Sequence, residues 1–176
     1  MINIRIICIG RLKENYWREA VEEYEKRLAP YCRLEIVELK EARLPANASP
    51  ADEEGVRESE GKALLAEVAA GAGVGKGSAP DRAGGPADYV FAMDPRGRQY
   101  SSPEFARHLG ALAASGKSRI SFLIGGSLGL SEAVRSGASE LMSFSKLTFP
   151  HQMFRPVLLE QIYRAFKINA GEKYHK

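Results

Sequence analysis

The stretch from Arg119 to Ser131, RISFLIGGSLGLS, passes within a few residues from a run that suits a buried strand to a turn holding three glycines. Arg119 to Gly125 is too short and too evenly apolar for an amphipathic helix, so it reads as a strand covered on both faces. Gly125, Gly126 and Gly129 then permit close backbone approach and positive φ angles, which suits either a tight strand-to-helix turn or a ligand lying against bare amides. Leu130 to Ala138 follows as a short helix, with Ser131 and Glu132 near its start. Neither G-x-G-x-x-G nor a phosphate-loop lysine is present, which disfavours a dinucleotide or triphosphate cradle.

Outward from this unit, strands and helices alternate along the chain. Residues 2–9 read as a first strand that stops at Gly10, and residues 14–29 as a helix ending before Pro30. A second strand is expected over 33–39, a turn-rich loop over 41–50 and a polar helix over 52–69. The third strand spans 88–93 and gives way to the turn Asp94-Pro-Arg-Gly97. Ser102-Pro103 opens a helix to Ser115, serine as cap and proline at the first helical position. The fifth strand is expected over 142–149 and the last helix over 154–169, where Val157, Leu158, Ile162, Ala165 and Phe166 form one stripe. Alternation of this kind predicts an α/β fold with a mainly parallel sheet flanked by helices.

The chain has 176 residues, the size of one domain, and 44% apolar with 27% charged residues, as globular proteins do. No apolar run approaches the ~20 residues of a membrane span, and the N-terminus lacks the layout of a signal peptide. Two cysteines, Cys8 and Cys32, cannot build a disulfide framework, and no Cys/His spacing suits zinc. A cytoplasmic protein without a structural metal is the expectation. Residues 69–87 hold six glycines and two prolines and read as a flexible loop insertion. Lys76 there is followed by Gly77, so the phosphate-loop pattern fails.

Charge is unevenly placed. Residues 1–70 carry 11 Lys/Arg against 14 Asp/Glu, a balance of −3, whereas residues 71–176 carry 14 against 8, a balance of +6. The second half is therefore where an anion is expected, the alternative being a solvated, lysine-rich face. His151, after Pro150, is a candidate general base or a residue that caps and packs. The terminus Gly171-Glu-Lys-Tyr-His-Lys176 is either a frayed tail or an aromatic-cationic segment able to stack on a base and hold phosphates.

Two segments, FLIGGSLGLS at 122–131 and LTFPHQMFRPVLLEQIYRAFKINAGEKYHK at 147–176, together with Gly10 and the Met-Asp-x-x-Gly end of the third strand, resemble the ribosomal RNA large subunit methyltransferase H family of the SPOUT class. The resemblance covers most of the chain; the 71–87 stretch and Pro156 depart from the pattern. It implies a single SPOUT-type domain over 1–176 with a C-terminal trefoil knot, and a homodimer whose last helix forms the dimer face and whose substrate site crosses the interface. It implies S-adenosyl-L-methionine as cofactor, held at Met93, Gly125, Gly126, Ser145, Lys146, Leu147, Thr148, Phe149 and Pro150. The implied reaction is methylation of N3 of a pseudouridine in helix 69 of 23S rRNA in the assembled ribosome. A sulfonium methyl is already activated, so neither a protein nucleophile nor a metal is required. Tyr174 and His175, with Arg155, are expected to orient the base and assist loss of its proton. Arg96, Arg98, Lys173 and Lys176 are expected to meet RNA phosphates. A SPOUT enzyme acting on tRNA, a non-catalytic ribosome-binding sensor and a Rossmann-like nucleotide enzyme are the competing readings.

Overall fold

The computed structural model describes residues 1–71 and 88–175. In chain order the elements are β1 (Ile2–Ile9), α1 (Asn15–Leu28), β2 (Cys32–Leu39), α2 (Pro50–Gly71), β3 (Asp88–Gln99), α3 (Ser102–Ala114), β4 (Arg119–Ile124), α4 (Glu132–Gly137), β5 (Glu140–Ser143) and α5 (His151–Asn169). The five strands form one sheet in the order β2-β1-β4-β3-β5, and every pairing is parallel.

Strand alternation divides the core into two layers. Ile4, Ile6 and Cys8 of β1, Phe91 and Met93 of β3, and Ile120, Phe122 and Ile124 of β4 point to the face covered by α1, α3 and α5. Ile7, Ile9, Val90, Ala92 and Leu123 point the other way, where Leu64 and Val68 of α2 and Val134 of α4 cover them. Both faces are thus apolar, as a parallel sheet buried between helices requires. Each fully buried isoleucine or leucine contributes about 1.5–3 kcal/mol, so the central strands carry much of the stability. The thiols of Cys8 and Cys32 are both free and buried, and burial pushes them up to about 11 and about 12 respectively.

Several boundaries differ from the sequence expectation. The fifth strand ends at Ser143 and not at Phe149. Beyond it, Ser143 Oγ donates to the Ser145 carbonyl at 2.8 Å and the Leu147 amide donates to Ser145 Oγ at 3.0 Å. These local side-chain bonds replace a strand ladder and bend residues 144–150 into a loop. The third strand does not stop at Met93 but continues to Gln99, because Met142 of β5 pairs first with Met93 and again with Arg98. Gly97 is obligatory in that irregular stretch: a Cβ there would lie 2.5 Å from the Met142 amide nitrogen. The last helix begins at His151, so Pro156 sits inside it, and α2 runs through Ala69 to Gly71. The rest of the expected 69–87 insertion, residues 72–87, lies outside the described residues.

Candidate functional site

The carboxyl ends of β4 and β5, and β3 just past Met93 where its pairing with β5 becomes irregular, open on one side of the sheet, the edge where parallel α/β folds gather ligands. There they enclose a pocket of about 360 Å³ with the start of α5. The glycine turn after β4 is closed by the Gly129 amide donating to the Gly126 carbonyl at 3.1 Å, and Gly129 has φ +80°. A Cβ on Gly125 would meet the Gly129 carbonyl group at 2.9 Å, which explains why position 125 carries no side chain. Opposite, Phe144 stacks on Phe154 with centroids 4.8 Å apart, and Phe149 meets Phe154 edge-on at 6.1 Å. Stacking ties the 144–150 loop to the first turn of α5.

Of the nine residues expected to hold a cofactor, Met93, Gly125, Gly126, Ser145, Leu147, Thr148, Phe149 and Pro150 line this pocket, and Lys146 does not. His151 lines it too, with Nε2 3.7 Å from Glu41 Oε1. The walls are apolar, while the polar groups are largely backbone and small hydroxyls, a surface suited to a planar heterocycle with a thioether-like chain. Asp94 is the buried carboxylate at the rim. Burial opposes its charge, but Arg135 and Arg96 outweigh burial and hold it below the usual carboxylate range. Arg135 Nε donates to it at 2.7 Å and Arg96 Nε at 3.1 Å.

Behind the glycine turn lies a group that sequence reading missed. Glu60 of α2 is buried, with Oε1 accepting the Ala42 amide at 3.1 Å and Oε2 without a hydrogen-bond partner among the described residues. Burial raises its pKa, and Glu41 adds to the rise. Only the helical phase of α2 hints at it, since Glu60 falls on the same side as Val56 and Leu64.

The C-terminal tail is a second, separate constellation. Gly171 adopts φ +67° after α5, its amide donates to the Ile168 carbonyl, and the Glu172 amide donates to the Lys167 carbonyl. This paired capping reverses the chain and lays Tyr174 against α5, so the tail is folded and not frayed. The Tyr174 hydroxyl donates to Glu160 Oε1 at 3.2 Å and its ring meets Tyr163 edge-on at 5.0 Å. Arg164, held by Glu160, lies 4.8 Å over the Tyr174 ring and brings Nη1 to 3.4 Å from His175 Nδ1.

Arg155 is not part of that cluster. Its guanidinium is 1% exposed and binds the Glu38 carboxylate and the Gly10 carbonyl, locking α5 to the ends of β1 and β2. The arginine that touches Tyr174 and His175 is Arg164, one turn beyond Glu160, and the i, i+4 spacing of Glu160 and Arg164 was the available signal. Among the expected phosphate contacts, Arg96 is exposed but paired with Asp94, Arg98 stacks over Tyr100 at 4.6 Å, and Lys173 is exposed. Lys176 lies outside the described residues.

Comparison with known proteins places this geometry in a family. A profile described as "Predicted SPOUT methyltransferase" matches residues 2–175. The "Ribosomal RNA large subunit methyltransferase H" of Clostridium novyi (strain NT) is 49% identical over 175 residues, covering 99% of this chain and all of the relative. The protein of the same name from Lactobacillus acidophilus is 43% identical with the same coverage. Among solved structures, a probable methylase family protein from Haemophilus influenzae Rd KW20 matches with a TM-score of 0.52 at 13% identity, over 99% of this chain and 71% of that one, a likeness of fold. With the profile spanning nearly every residue and full-length relatives approaching half identity, the chain belongs to the ribosomal RNA large subunit methyltransferase H family of SPOUT methyltransferases.

Proposed function

We propose that this single-domain chain methylates N3 of a pseudouridine in helix 69 of 23S rRNA, using S-adenosyl-L-methionine and acting in the cytoplasm on the assembled ribosome. The observation that carries the reading is the convergence of the ends of β4 and β5 and the irregular stretch of β3 after Met93 on one apolar-walled, amide-rich pocket. Met93, the Gly125-Gly126 turn and the Ser145–Pro150 loop would hold the cofactor, whose sulfonium carries the methyl group to be transferred.

The chain then has two tasks, to place the base and to take its N3 proton. Tyr174, fixed by Glu160 and Tyr163, offers an aromatic edge for orienting the base. Arg164 puts a positive charge where a base losing its N3 proton becomes anionic, and Glu160 fixes that charge in place. His175, exposed beside Arg164, is the group positioned to receive the proton.

Pocket and tail share no residue. Tyr174 meets α5 at Glu160, nine residues beyond His151, which is ~13 Å along a helix axis. That separation supports a homodimer in which one copy's tail completes the other's pocket, with α5 at the dimer face. Exposed Leu147 on the pocket loop gives such a partner something apolar to cover. The same proposal includes a trefoil knot, in which the chain after β5 threads the loop that follows β4.

The test is methyl incorporation from labelled S-adenosyl-L-methionine into assembled ribosomes, with free 23S rRNA and tRNA alongside. Label at one helix 69 pseudouridine in ribosomes is the expected result. Label in tRNA would move the substrate, and cofactor binding without transfer would make the protein a sensor.

A further inference from the structure

The loops leaving β1 and β2 build a second groove, of about 670 Å³, on the same side of the sheet as the pocket. Arg11 and Lys13 reach it from one loop, Lys40 and Arg43 from the other. All four are exposed, and none forms an ion pair with a described residue. The groove also holds two carboxylates. Glu38 is taken up by buried Arg155 and accepts the Leu12 amide at 3.2 Å, and Glu41 faces His151. Four cations without an ion pair among the described residues therefore meet two acids, Glu38 already neutralised by Arg155, in the half of the chain whose overall balance is negative.

The groove is anchored to the pocket at two points. The Lys13 amide donates to Gln152 Oε1 at 3.1 Å, and Glu41 lies 3.7 Å from His151, which lines the pocket. Arg18 donates to the Lys13 carbonyl at 2.6 Å, and with Arg11 it faces Glu22 and Glu25 of α1, so the positive surface ends there. Tyr16, three residues after Lys13 in the first turn of α1, is 59% exposed, its ring edge-on to Trp17 at 4.9 Å. Unpaired cations drawn from two loops repel one another, and a polyanion spanning both relieves that repulsion where a single small anion would engage only part of it. An exposed aromatic among such cations is what an unstacked nucleotide uses.

We infer that Arg11, Lys13, Lys40 and Arg43 form a track for the sugar–phosphate backbone of the RNA whose base enters the pocket. The inference rests on the proposed activity, and it adds a surface on the other side of His151 from Arg96 and Arg98.

The test is a protein carrying Arg11→Gln, Lys13→Gln, Lys40→Gln and Arg43→Gln together, with circular dichroism and S-adenosyl-L-methionine affinity checking that fold and pocket persist. Methylation is measured against ribosome concentration at several potassium chloride concentrations. The expected result is a KM for ribosomes raised ~10-fold or more, and a log–log salt slope shallower by roughly 3, near one counterion per lost contact. An unchanged KM and salt slope in the variant, with the parent active, overturns the track and leaves the activity standing. Should the parent not methylate ribosomes, filter binding of a labelled helix 69 hairpin separates the two ideas. Salt-dependent binding that only the variant loses keeps the track without that activity, and a parent with no salt-dependent RNA binding removes it. Loss of binding to polyglutamate but not to the hairpin overturns the track in favour of an acidic protein partner.

Discussion

Glu60 stands directly behind Gly126: a Cβ built on that glycine lies 2.8 Å from Glu60 Oε2 and 3.2 Å from Ile9 Cγ2. The glycine turn is therefore pressed against a buried carboxylate whose other oxygen is tied to the Ala42 amide. Gly126→Ala must displace one of them. We expect a loss of about 1–3 kcal/mol in stability, as for other overpacked sites, with cofactor affinity weakened ~10-fold or more. Isothermal titration of S-adenosyl-L-methionine checks the second effect. Adding Glu60→Ala removes the obstructing oxygen, so the double variant should regain part of the affinity; equal affinity in the single and double variants would break the link between the residues.

The same carboxylate sets a pH dependence. Burial raises the Glu60 pKa in the folded chain, so the native state holds this proton more firmly than the unfolded one. Its favourable contribution is present below the unfolded carboxylate pKa and is lost as pH rises through the raised folded value. Glu60→Gln cannot lose that proton. The stability of Glu60→Gln relative to the parent should therefore improve as pH climbs from about 4 toward neutrality, starting near the ordinary glutamate range. Urea unfolding at a series of pH values reads this directly, and a difference that stays flat refutes it.

How far the sequence could be read depended on how local the determining physics is. β4 and its glycine turn were legible because an apolar run and three glycines state their geometry on their own. The end of β5 was not, since Leu147, Thr148 and Phe149 have strand-like side chains and Ser145 bends the backbone through its own hydroxyl. Arg155 and Arg164 lie on one helix and differ only in what the distant chain brings to them. Glu38 and Gly10 claim the first, Tyr174 and His175 the second. The four cations at Arg11, Lys13, Lys40 and Arg43 were hidden for another reason. Fourteen acidic residues in the first 70 mask them in any linear count, although the sheet places their loops side by side.

Arg155 offers a prediction about stability. Its charge is almost wholly removed from water, while Glu38 keeps 33% of its side chain exposed. Arg155→Met removes the clamp on the Gly10 carbonyl and frees Glu38. Because Glu38 can hydrate, the expected loss is about 2–4 kcal/mol, below what breaking a fully buried pair reaches. Denaturant titration should show it as a lower midpoint. Substitution of the more exposed Arg96, whose side chain is 63% exposed, should change stability by less than ~1 kcal/mol.

The separation of pocket and tail along α5 yields a prediction about the assembly that no single-chain variant can give. His175→Ala leaves the pocket intact and removes the proposed proton acceptor, so methyl transfer to ribosomes should fall by ~100-fold, within the range for general-base removal, and the pH–rate profile should flatten. Gly126→Ala leaves the tail intact and weakens the pocket. If each site takes its pocket from one copy and its tail from the other, a mixed dimer of these two chains holds one site with both parts parental. Random pairing of equal amounts then restores about a quarter of parental activity, whereas, with cofactor held below the parental Kd, His175→Ala alone keeps ~1% and Gly126→Ala alone ~10% or less. Co-expression with two purification tags, followed by single-turnover methylation, measures this. Sites that lie within one chain would give no recovery at all, because each chain would bring its own defect to its own site.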